Sequence, residues 1–119
     1  MSTIVIREFS GGADGVPIKI VATATAGTAI HTATAETADG SYDKIWLWAY
    51  NSHTADVQLT IEFGGATDPT NHIVKTIPFE QGLFLVVPGL ILQNSKTVKA
   101  FAAVANVVVV SGYVERVTD

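Results

Sequence analysis

The strongest pattern along the chain is a two-residue alternation of apolar and polar positions. In "VQLTIEF", residues 57–63, Val57, Leu59, Ile61 and Phe63 fall on one side and Gln58, Thr60 and Glu62 on the other. A half-buried β-strand has that period. "KIWLWAYN", residues 44–51, is apolar on both sides: Ile45, Leu47 and Ala49 point one way, and Trp46, Trp48 and Tyr50 the other. Between these strands "NSHTAD" reads as a hairpin loop, and "FGGATDPTNH" reads as a second loop. "HIVKTIPF" predicts a strand with Pro78 at its end or on an edge, because proline has no N–H to give to a ladder. "LFLVV" predicts a short strand. "VPGL" predicts a type II turn centred on Pro88 and Gly89, after which "LIL" resumes the chain and "QNSK" turns it again. "TVKAFAAVA" and "NVVVVSGYVERVT" close the sequence as two strands, with the turn at Asn106. Upstream, "PIKIVATATA" and "TAIHTATAE" predict two strands paired around Gly27, while "SGGADG" and "ADGSYD" read as loops.

The total is about nine or ten short strands. "TAIHTATAETA" contains helix formers, but its β-branched threonines and its lack of a 3.6-residue apolar stripe argue against a helix. The predicted fold is all-β: one β-sandwich domain over residues 1–119, jelly-roll-like, with an immunoglobulin-like sandwich as the alternative topology. Residues 1–16 read as an extended N-terminal arm.

A sandwich hides one residue in two along each strand. This sequence has more to hide. Charged residues make up 15% of it, against roughly 25% in an average globular protein. Between Leu83 and Val114 the charges are Lys96 and Lys99 alone, and between Ile20 and Ala35 there are none. Bare outer faces of this kind would exceed the few hundred Å² that monomers usually expose. Burying ~800 Å² per partner would remove the problem, and at ~25 cal/mol/Å² half of that area is worth on the order of 10 kcal/mol before association costs. The composition therefore predicts a homo-oligomer or a subunit docked on a larger assembly. Open strand edges point the same way, with Pro17, Pro78 and Pro88 as partial caps.

The remaining composition narrows the partners. A net charge of −4 with seven scattered basic residues argues against nucleic acid. The longest apolar run, residues 82–92, is well short of the ~20 residues a membrane helix needs and contains Pro88. "MSTIVIREFSGG" lacks the basic start and apolar run of a signal peptide. There is no cysteine, so disulfides and thiolate metal sites are out of reach.

Candidate chemistry is sparse. His31, His53 and His72 lie on separate elements without ligand-like spacing and read as surface or loop residues. Asp14, Asp39, Asp56 and Asp68 sit in turn-like contexts, and Asp68 with Asn71 offers too few regularly spaced oxygens for a calcium loop. Glu62 has no second carboxylate to work with. No nucleophile elbow, Walker loop or dinucleotide fingerprint is present. The expectation is no enzyme, no cofactor and no metal. Trp46, Trp48 and Tyr50, at i, i+2 and i+4, stand on one sheet face. They read as core, since large aromatics dominate burial; the alternative is a row that stacks on sugar rings.

The later part of the chain carries a resemblance. "LTIEFGGATDP" and "IPFEQGLFLVVPGLILQNSKTVKAFAAVANVVVVSGYVERV" resemble small β-rich virion structural proteins of tailed bacteriophages, over about residues 43 to 117. The resemblance implies a capsid decoration (cement) protein that binds and stabilises the head shell as a homo-oligomer, with a trimer favoured. Its partners would be copies of itself and the major capsid protein, and its location the virion, assembled in the host cytoplasm. A neck or tail component is the alternative within that group, and a carbohydrate- or receptor-binding module the alternative outside it. No binding residue carries over individually. The interface candidates come from the apolar stretches: Ile4, Val5 and Ile6 near the start, and Phe84, Leu85, Val86, Leu90 and Ile91.

Overall fold

A computed structural model describes residues 2–36 and 40–118; Asp39, read above as a turn residue, lies outside them. Among the described residues there are nine strands and no helix. They are β1 (Thr3–Arg7), β2 (Ile18–Lys19), β3 (Thr28–Thr32), β4 (Tyr42–Asn51), β5 (Val57–Phe63), β6 (His72–Ile77), β7 (Phe84–Leu92), β8 (Thr97–Ala102) and β9 (Val108–Thr118).

The strand pairs nest. β5 pairs with β6, β4 with β7, β3 with β8, and β2 and β1 with β9, all antiparallel. The chain thus behaves as one long hairpin whose tip is the β5–β6 loop. Rolling it up places alternate pairs in two sheets, β1-β9-β4-β7 and β3-β8-β5-β6, with β2 flanking the first part of β9. This is the jelly-roll solution to packing an antiparallel chain in two layers. The core lies between the layers. Ile45, Leu47 and Ala49 of β4 meet Leu59 and Ile61 of β5, Val98 and Ala100 of β8, and Val110 and Val114 of β9, all fully buried.

Several local expectations change. "NSHTAD" is not a hairpin loop: β4 and β5 lie in different sheets, and the loop carries the chain from one layer to the other. Fully buried Asn51 anchors that crossing, its amide donating to the Ala55 and Ile77 carbonyls while its oxygen accepts from the His53 N–H. Pro88 and Gly89 do not form a turn. They lie inside β7, where the register against β4 slips between Ile45 and Trp46. A bulge accounts for both residues: Gly89 takes φ +73°, and Pro88 needs no ladder partner on an edge strand. The segments around Gly27 do not pair with each other, because β2 is taken by β9 and β3 by β8. Thr3–Arg7, expected within an arm, is a paired strand along the end of β9.

Other turns follow their residues. Gln93 O accepts from Lys96 N–H across Asn94 and Ser95, both with positive φ near 60°, which is a type I′ turn. Asn106 also has positive φ, at the crossing from β8 to β9. In the β5–β6 loop the Asn71 side chain accepts from Thr67 N–H and donates to the Phe63 carbonyl. Its carboxamide is thereby committed to the loop rather than to an ion.

Candidate binding surface

β4 sets the site through the parity of its side chains. The sequence reading put Trp46, Trp48 and Tyr50 in the core; the structure puts Ile45, Leu47 and Ala49 there, at zero exposure, and leaves the aromatics half-buried on the outer face. The ends of the strand explain the choice. Asp43 and Asn51 share the inward parity, and both make buried hydrogen bonds that no outward placement would supply. Lys44 shares the outward parity and reaches Glu115 at 3.8 Å.

Register places Trp46 beside Tyr113 and Trp48 beside Ser111 on β9. The rings of Trp46, Trp48 and Tyr113 are mutually 6.0–6.3 Å apart with interplanar angles of 19–30°. A column of three stacked rings would double the outer distance, so equal spacing means a triangular patch. Trp46 Nε1 donates to Glu115 Oε1 at 2.6 Å, which fixes the indole. Its ring lies over Gly89 of β7, where a Cβ would sit 2.6 Å from Cζ2. Gly112 of β9 has a different task. A Cβ there would collide with the Trp46 carbonyl oxygen, so glycine permits the close approach of β9 to β4.

The apolar surface continues to both edges of the sheet. Ile4 and Ile6 on β1 share the face of Val117 and Glu115 and are about 60% exposed. Leu85 pairs with Trp48 and Ile91 with Lys44 on β7, and both are exposed, as is Leu90. Of the sequence-based interface candidates, Ile4, Val5, Ile6, Leu85, Leu90 and Ile91 are at the surface. Phe84 is half-buried against the core, and Val86 is buried, because the second bulge of β7 turns it inward. Tyr113 and Glu115 were not singled out from sequence. The alternation Val109, Ser111, Tyr113, Glu115, Val117 held the signal, masked by the apolar run before it.

The outer face of the other sheet differs. Gln58, Thr60 and Glu62 alternate along β5, with Lys99 and Phe101 beside them on β8. Glu62 is buried because residues 25–27 fold over it: Thr25 Oγ1 and Gly27 N–H each donate to one of its oxygens at 2.7 Å.

A second constellation joins β3, β4 and β9. Arg116 holds Asp43 through two hydrogen bonds, Nε to Oδ1 at 2.7 Å and the second guanidinium nitrogen to Oδ2 at 2.9 Å. His31 Nε2 lies 2.8 Å from Asp43 Oδ2, and Thr34 N–H donates to the same oxygen. Burial opposes the charge on Asp43, but the hydrogen bonds from Arg116 and His31 overcome it and hold the carboxyl at about 2. His31, expected at the surface, is therefore a buried member of this lock. Its Nδ1 accepts from the Ser10 N–H, which assigns the remaining ring proton to Nε2. The Ser10 hydroxyl accepts from Thr32 N–H instead of approaching the imidazole, so the geometry is not that of an activated serine. A cleft of about 340 Å³ lined by Arg7, Glu8, Ser10, His31 and Arg116 adjoins the lock, but its histidine and Arg116 are already partnered.

His53 lies in the β4–β5 loop. His72 packs its ring edge-on against Phe101 and sits 3.6 Å from Asp68. Among the described residues no group of three His, Cys, Asp or Glu side chains converges as metal ligands would, and no helix is long and apolar enough to cross a membrane. Comparison with protein-family models, curated proteins and solved structures returns no match for this chain.

Proposed function

We propose that this protein works by adhesion: a bacteriophage virion structural protein, set on the head shell as a homo-oligomeric decoration protein. The single observation that carries the reading is the outer face of the β1-β9-β4-β7 sheet. It presents Trp46, Trp48 and Tyr113 as one patch, continued by Ile6 on one edge and Leu85 and Ile91 on the other, with the ion pair of Lys44 and Glu115 within it. Apolar area of that extent is what contact with a shell or another subunit would bury. The phage assignment rests on the resemblance of residues 43 to 117, and it names the partner as the major capsid protein. Mass spectrometry and immunogold microscopy of purified phage particles carrying this gene test the reading. Label on the head supports it. Label on the neck or tail moves the protein to the alternative location, and absence from particles overturns the assignment.

The same face favours a second reading as a carbohydrate- or receptor-binding module. A ring patch beside a fixed carboxylate is a stacking platform with a polar neighbour, as sugar recognition requires. Titration with a glycan panel, read by tryptophan fluorescence, decides it. A saturable change lost in Trp48→Ala would establish sugar binding, and a flat response would remove it.

A further inference from the structure

The two sheets have four edges, and three are blunted. β7 carries Pro88 and two register shifts. β3 is covered by the β1–β2 loop, where Gly11 N–H donates to the Ile30 carbonyl and Ser10 Oγ accepts from Thr32 N–H. β6 carries Lys75 and ends at Pro78. Such devices stop a sheet from adding strands. β1 has no proline, register shift or covering loop, and its charge, Arg7, stands at its end. Its ladder on β9 runs without a shift from Thr3 to Arg7, all five residues are exposed, and the first four are uncharged with Ile-Val-Ile at the centre.

We infer that β1 is the joint at which two copies of this chain pair, antiparallel about a twofold axis through Val5. This rests on the self-association proposed above and names where it occurs. The register follows from charge and symmetry. Centred on Val5, the pairing sets Ile4 against Ile6 of the second copy and Arg7 against Thr3, so no like charges oppose each other. A parallel pairing in register would set Arg7 beside Arg7. Alternate residues of β1 turn their N–H and C=O groups away from β9, and the second strand satisfies them. The twofold of an antiparallel ladder is perpendicular to the sheet, so both copies keep the same side outward. The sheet then reads β7-β4-β9-β1-β1-β9-β4-β7, and the two apolar faces merge through Ile4 and Ile6. A dimer of this kind offers one broad, single-sided platform. It also departs from the trimer that the family resemblance favours.

Five paired residues bury less than the ~800 Å² per partner of a standard interface, so the joint is concentration-dependent in solution. Cross-linking captures it. The chain has no cysteine, so Val5→Cys places a lone thiol on the axis, opposite its own copy. Under mild oxidation this variant is expected to migrate at twice the 12.5 kDa chain mass, whereas Thr76→Cys on β6 remains at the chain mass. If Val5→Cys stays monomeric while sedimentation shows self-association, the joint is elsewhere and this inference falls, with the adhesive reading intact. If the chain neither cross-links nor is found in particles, both fall.

Discussion

Asp43 has no solvent exposure, yet it carries a charge, and its partners come from β3, the segment after it and β9. Removing its charge strands Arg116 at the sandwich edge, so Asp43→Asn is expected to lower unfolding stability by about 3 kcal/mol in chemical denaturation. The carboxyl sits at about 2 in the folded protein against 3.8 when unperturbed. A group depressed on folding contributes stability above its unfolded pKa and loses it as pH falls through the folded one. That contribution, roughly 2 kcal/mol, should therefore be intact above about pH 4 and disappear towards pH 2. Urea titrations at several acidic pH values check it: the wild type should show this loss and Asp43→Asn should not. Gly112 and Gly89 offer a second comparison. A methyl group at Gly112 meets backbone, whereas one at Gly89 meets the Trp46 ring, which can shift only by disturbing its hydrogen bond to Glu115. Gly112→Ala is expected to cost several kcal/mol, and Gly89→Ala less, roughly 2–3 kcal/mol, from its positive φ and the displaced indole. Equal losses in thermal denaturation would contradict this account of the close β4–β9 approach.

At the scale of elements, β5 and β6 were legible as strands from alternation and the terminal proline, although Thr60 and Glu62, expected on the half-buried strand's polar face, are buried. β4 was legible as a strand but not in its facing, since Ile-Leu-Ala and Trp-Trp-Tyr are both plausible inner rows. Asp43 and Asn51 decide the matter through partners 12 to 73 residues away in the chain, which no local pattern displays. The same distance hid the His31 lock. Pro88 and Gly89 misled because a bulge on an edge strand uses the residues of a turn. The jelly roll itself was within reach of the strand count, but the nesting of pairs was not, because short loops predict hairpins and several of these loops cross between layers. One test belongs here. Leu85→Lys and Ile91→Lys sit on the outer side of β7, away from the core. Each is expected to change stability by less than about 0.5 kcal/mol and, lying on the sheet edge opposite β1, to leave self-association through β1 within about twofold of wild type, measured by denaturation and by sedimentation.

At the scale of the molecule, the two sheets have unlike outer faces. One carries Gln58, Lys99 and a segment folded over Glu62, with Val74 and Phe101 as its apolar members. The other is aromatic and aliphatic from β1 to β7. The proposed adhesive role is assigned to the second face, where the aromatic rings cluster. Sedimentation velocity over a concentration series, with wild type beside Val5→Lys, which sets like charges against each other on the proposed twofold, tests self-association most directly. The account predicts a mass that rises above 12.5 kDa with concentration in the wild type and stays nearer that value in the variant. A wild type that remains a single 12.5 kDa species up to ~1 mM, where even a contact worth about 4 kcal/mol would be half formed, would contradict it.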